Sequence, residues 1–149
     1  MLSRRFIFRL ATILPGAGAL VAAAASARAA EPGKQRVAYH VADKEKVDFV
    51  MGNIKNHLEG LGGPDKVEII LVAHGPALKQ LHALDGEQTS IKNLQSLIKQ
   101  GVAFNACGNT MQNLKYDLSD FPAGTVKVDK GGVVRLAELQ QQGYVYLRP

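Results

Sequence analysis

The chain holds a single cysteine, Cys107. One thiol excludes an internal disulfide, and it argues against a dithiol oxidoreductase, which normally needs two. An odd cysteine leaves an intermolecular bridge, a free thiol with a use, or a small buried hydrophobe. Long hydrophobic runs are also lacking. The most apolar stretch, residues 10–25, is rich in Ala and Gly and broken by Pro15, whereas a membrane span needs about 20 strongly apolar residues. Cys107, His74 and His40 are acceptable ligands for copper or zinc, but they are widely separated and lack ligand-pair spacing. A Cys–His hydrolase would need a nucleophile motif and an orienting carboxylate, and neither stands out. Residues 30–149 contain no internal repeat and no low-complexity tract.

The N-terminus reads as an address rather than as fold. Arg4, Arg5 and Arg9 form a basic head, a weakly apolar run follows, and Ala27-Arg28-Ala29 offers a small-x-small cleavage pattern. Arg4-Arg5 is the pair expected of a twin-arginine signal, although Ile7 and Phe8 depart from its usual order. Residues 1–29 are therefore expected to be a cleaved export signal. The product is expected in the periplasm, with no permanent membrane span and, for want of a nearby cysteine, no lipid anchor. The full chain has 18 basic and 13 acidic residues, net +5. Cleavage takes four arginines and no acid, leaving 14 basic against 13 acidic residues, net +1. The basic balance is thus no argument for nucleic-acid binding, and none is expected.

About 120 residues remain, enough for one core. Residues 30–35 are expected to form a polar, mobile lead-in. Residues 36–41 predict a first strand, followed by Asp43 as a helix cap. Val47, Val50, Met51, Ile54, Leu58 and Leu61 recur at three- and four-residue steps, a helical stripe that Gly62-Gly63-Pro64 ends. Residues 67–73 are nearly all apolar, which suits a strand covered on both faces. A short helix with Leu78, Leu81 and Leu84 inward should follow, then a loop at Asp85-Gly86 and a helix through Ile91, Leu94, Leu97 and Ile98. Residues 102–106 predict the third strand, 108–116 a short helix and 125–128 the fourth strand. Residues 131–142 predict a helix carrying Val133, Leu136 and Leu139, and 144–147 a fifth strand. Strands alternating with helices imply an α/β fold, three layers α/β/α around a mainly parallel sheet of about five strands.

In such sheets ligands gather beyond the carboxyl ends of the strands. His40, His74 and Cys107 fall near three of those ends. A cysteine at a helix start feels unpaired amides that favour thiolate. Gly108 would let a substrate approach; Asn109 and Thr110 could cap the helix or donate to a sulfur anion. His74 could hold a proton or a positive charge nearby, or bond a loop carbonyl as a structural residue. Cys107 and His74 are thus the candidate catalytic residues. Gly108, Asn109, Thr110 and His40 are the candidate substrate-binding residues, with no metal ligand set and no cofactor expected. His57 and His82 fall at the edges of apolar helix faces and read as structural.

The segment Phe104-Asn105-Ala106-Cys107-Gly108-Asn109-Thr110-Met111, the step His74-Gly75-Pro76-Ala77-Leu78 and the ending Leu136–Arg148, with its Gly143-Tyr144-Val145-Tyr146, resemble the DsrE/DsrF-like proteins. The resemblance spans residues 36–149 as one domain. It implies a compact α/β/α unit that assembles into homo-oligomers. It also implies a cysteine, here Cys107, that accepts sulfane sulfur as a persulfide and hands it to a partner protein. An export signal departs from the cytoplasmic relay members. The expected function is sulfur carrier or sulfurtransferase-like, with a sulfur donor or acceptor protein as partner. The alternative is a non-enzymatic oligomeric module holding a small ligand or metal ion in the strand-end cleft.

Overall fold

The computed structural model describes residues 33–149. The export signal read in residues 1–29 and the first residues of the lead-in lie outside that range. Five strands, β1 (Gln35–Val41), β2 (Val67–Ala73), β3 (Ala103–Cys107), β4 (Thr125–Val128) and β5 (Val145–Leu147), form one sheet in the order β4-β3-β2-β1-β5, every pair parallel. The connections hold α1 (Val47–Leu61), α2 (Pro76–Gln80), α3 (Gln88–Lys99), α4 (Gly108–Leu114) and α5 (Gly132–Gln141). Among the described residues no helix is long and apolar enough to cross a membrane.

Alternation along the strands divides the core in two. Val37, Tyr39, Ile69, Leu71 and Phe104 pack against α1 to α4, while Ala38, Ile70 and Val72 meet Leu136 and Leu139 of α5 on the other face. β2 is covered on both faces, which is why its sequence is an apolar run rather than an alternation. α1 buries Val47, Val50, Met51, Ile54 and Leu58. It stops where Gly62 takes φ 85°, a left-handed conformation that lets the Gly63 N–H reach the Leu58 carbonyl at 2.8 Å.

Four local expectations are corrected. Gln35 is the first residue of β1, paired with Val67, and does not belong to the lead-in. Asp43 makes no side-chain cap; Arg148 reaches its carboxylate at 3.1 Å instead. Leu84 is 87% exposed. The chain leaves α2 at Gln80 and turns back through hydrogen bonds from Gly86 N–H to His82 and from Glu87 N–H to Gln80, so Leu84 rides the tip of that turn. Val133 is 69% exposed because α5 faces the sheet through Gly132, Leu136 and Leu139, and the next residue points about 100° off that stripe.

Candidate functional site

Parallel pairing sets neighbouring carboxyl ends side by side. Val72 is opposite both His40 and Asn105, so these three side chains form one row on the face that α5 covers, one residue before β1 and β2 end at Val41 and Ala73. Cys107 closes β3 and is the residue from which α4 starts, with φ −63° and ψ 115°. It is 5% exposed. Burial is the largest single influence on its thiol and pushes the pKa up. The Thr110 hydroxyl and the N–H groups of Gly132, Thr110 and Asn109 together outweigh burial and hold the thiol below its ordinary value. The amides come from two helix starts: α4, which the cysteine itself opens, and α5, which is brought back over it.

The glycines around the sulfur are there because backbone passes close by. A methyl group on Gly132 would sit 3.3 Å from His74 Cβ and 3.4 Å from Cys107 Cβ. One on Gly131, whose φ is 94°, would meet the Asn109 side-chain amide at 2.6 Å and lie 3.9 Å from Sγ. Gly131-Gly132 thus straps the cysteine at backbone distance, and the sequence reading missed both residues as site components. Their signal is the glycine pair directly before the last helix. Gly108 does not open a path to substrate. The space its side chain would fill is occupied by the Val128 carbonyl, 2.8 Å away.

The cap position of α4 is Cys107 itself, so Asn109 and Thr110 lie inside its first turn and are not the cap. The Thr110 hydroxyl accepts from the Gly75 N–H at 3.0 Å and is also the strongest of the groups that lower the Cys107 pKa, so it links the start of α2 to the sulfur. Thr110→Val removes that hydroxyl and strands the Gly75 amide. Alkylation of Cys107 by iodoacetamide at neutral pH should slow about tenfold, with the midpoint of its pH profile moving up.

His74 and His40 are brought together, but with each other rather than with the sulfur. Their Nε2 atoms are 2.7 Å apart, the rings stacked at 4.8 Å between centroids, and His40 Nδ1 meets the Tyr146 hydroxyl at 2.7 Å. His40 has its pKa lowered to about 4, by burial first, then by His74 and Arg148, with Asp43 opposing. His74 is lowered by burial and by Arg148, again against Asp43. Both shifts favour the neutral imidazole, and the groups that lower the Cys107 pKa are a hydroxyl and backbone amides, not a histidine cation. His57 bonds Tyr39 and Gln35, and His82 stacks on Tyr116 at 3.8 Å; both brace the fold away from this edge. Among the described residues no group of three or more His, Cys, Asp or Glu is arranged to hold a metal ion.

A family model, DsrE/DsrF-like family, matches residues 19–149. Among solved structures the chain is similar to a protein of unknown function, MTH1491, from Methanobacterium thermoautotrophicum, at 29% identity and a TM-score of 0.67, over 77% of this chain and 99% of that one. None of the curated proteins matches.

Proposed function

The chain belongs to the DsrE/DsrF-like family, which is linked to sulfur relay, and from that membership and the setting of its one thiol we propose that Cys107 is a carrier of sulfane sulfur. The observation that supports this is the setting of Sγ: the Gly131–Gly132 backbone lies against it, and one hydroxyl and three backbone amides lower the pKa of a thiol that burial alone would raise. Buried filler has no use for such a setting. In the carrying step the Cys107 thiolate attacks the sulfane sulfur of a donor. The donor's S–S bond breaks, its electron pair leaves with the departing group, and the new bond is Sγ–S. An acceptor thiolate then attacks the outer sulfur of the persulfide and returns Cys107 as thiolate. One cysteine suffices, because nothing is oxidised or reduced overall.

The donors that hold the thiolate also suit the persulfide poorly enough to let it go, since sulfur bound to Sγ moves the charge outward, away from the amides. The same reading includes a donor or acceptor protein as partner, a homo-oligomeric assembly and, from residues 1–29, a periplasmic site of action. Sedimentation of the purified protein should report a mass of more than one chain.

Incubation of the folded protein with polysulfide or thiosulfate, followed by intact-mass measurement, tests the carrier. The wild type should gain whole sulfur atoms that a thiol reductant removes, and Cys107→Ser should gain none. A folded wild type that keeps its unmodified mass at neutral pH overturns the proposal.

A further inference from the structure

β1 and the turn after β2 aim two imidazoles at each other. His40, in β1, is 6% exposed, while His74, just past the end of β2, is partly exposed and open to an incoming solute. Their Nε2 atoms face each other at 2.7 Å. A neutral imidazole carries one N–H and one bare nitrogen, so this contact holds a single proton between two ring nitrogens. Two ligands on opposite sides of a small ion are arranged in the same way, with the ion where the proton stands. Burial favours the neutral ring in both residues, and neutral imidazole is the form that ligates metals. His40 also has the outer partner that ligating histidines use. Its Nδ1 meets the Tyr146 hydroxyl at 2.7 Å, which fixes the ring and leaves Nε2 for an ion.

The number of ligands selects the ion. Zinc takes three or four protein ligands, and among the described residues no group of three His, Cys, Asp or Glu is arranged to supply them. Two opposed imidazoles suit a monovalent d¹⁰ ion that accepts two-coordinate, linear geometry, and copper(I) is the biological one. The surrounding charge points the same way. Arg148 and Asp43 act on both rings with opposite signs and meet each other at 3.1 Å. Lys46 joins them in the wall of a cavity of about 210 Å³ beside His40, so a second positive charge on the ion would be repelled.

We propose that His40 and His74 form a copper(I) site, with the ion held in line between their two Nε2 atoms. A metal–nitrogen distance of about 2 Å puts the nitrogens about 4 Å apart, so the ring of His74 swings outward by about 1 Å. No proton leaves and no electron moves. The ring that held the shared proton carries it on Nδ1 instead, both rings remain neutral, and His40 then donates to the Tyr146 oxygen. Tyr146 touches no metal; it positions the His40 ring. The site does not use Cys107, so it is independent of the carrier reading.

The test uses the full chain carrying Cys107→Ser, which removes the thiol as a competing copper ligand. It is titrated with copper(I) in the absence of oxygen, against a chromogenic copper(I) chelator. One ion should be held per chain, and X-ray absorption at the copper edge should show two nitrogen neighbours and no sulfur. Added to that background, His40→Gln and His74→Gln should each abolish stoichiometric binding. Tyr146→Phe should weaken it about tenfold and leave the stoichiometry unchanged. Zinc(II) at the same concentrations should not be retained. A Cys107→Ser chain that holds no copper overturns the site, as does copper bound through sulfur or through three or more nitrogens. Binding that survives His40→Gln unchanged, or retention of zinc, overturns it equally. The absorption spectrum decides the matter even where a histidine variant fails to fold.

Discussion

Gly108→Ala should lower the free energy of unfolding by about 3 kcal/mol and slow the alkylation of Cys107 in the same stroke. The added Cβ would lie 2.8 Å from the Val128 carbonyl oxygen, 3.1 Å from Asp129 Cα and 3.3 Å from Lys127 Cε. The lysine tip can swing aside. The first two atoms are main chain, so relief requires the end of β4 to move away from β3. That movement starts at the Cys107–Val128 pair, the last of the ladder, and it is passed along a connection of three residues to Gly132. A few tenths of an ångström there draw the Gly132 amide off the sulfur, and burial, no longer outweighed, returns the thiol toward protonation. Gly52→Ala supplies the contrast: nothing lies within 4 Å of its Cβ, it sits inside α1, and replacement should leave stability unchanged or raise it by about 0.5–1 kcal/mol. Urea unfolding and the pH profile of iodoacetamide alkylation measure both effects. A Gly108→Ala protein as stable and as reactive as the wild type would show that β4 does not seat the strap.

The contrast between what sequence showed of the fold and of this site follows from the range of the interactions. The α1 stripe, the apolar run of β2 and the stop at Gly62 are set by neighbours within a few residues, so periodicity and turn chemistry reveal them. The placement of His40, His74 and Cys107 at one sheet edge needs only a parallel sheet, and that too can be read from alternating elements. Their pairing cannot. His40 and His74 are 34 residues apart and meet because β1 and β2 are neighbours, and Tyr146 joins from 106 residues away because β5 returns to the far side of β1. The amide of Gly132 reaches Cys107 only because α5 begins directly over the end of β3. Asp43 was misread for the same reason: a distant arginine, Arg148, claims the carboxylate that local rules assign to a cap. Of function, the sequence offered Cys107 as a candidate thiol; sulfur as the cargo came from the family resemblance.

The imidazole pair that escaped sequence reading also sets the largest pH effect expected of the molecule. His40 is 6% exposed and has its pKa lowered from 6.5 to about 4, chiefly by burial. Its folded state prefers the neutral ring, so between those two values the unfolded chain binds more protons than the folded one and stability rises with pH. The contribution is complete above about pH 6.5 and is lost as the pH falls toward 4. For His40 alone it amounts to about 3 kcal/mol, near 10 °C in melting temperature for a domain of this size. His74 is shifted in the same direction and adds to the slope. The geometry shows why acid is so costly here. Once both rings are protonated each carries an N–H on Nε2, and two donors facing at 2.7 Å cannot share a hydrogen bond. The rings must part, and the ends of β1 and β2 with them, which takes His74 off Gly132 and loosens the strap over Cys107. Denaturant unfolding at steps from pH 7 to pH 4 should therefore show a steep loss, with thiol reactivity deviating from a simple titration in the same window. A double replacement, His40→Gln with His74→Gln, removes the titrating groups and should flatten the profile even if its stability at pH 7 is lower. A wild-type profile already flat across that range, or a double variant that keeps the full slope, would place the acid sensitivity elsewhere in the molecule.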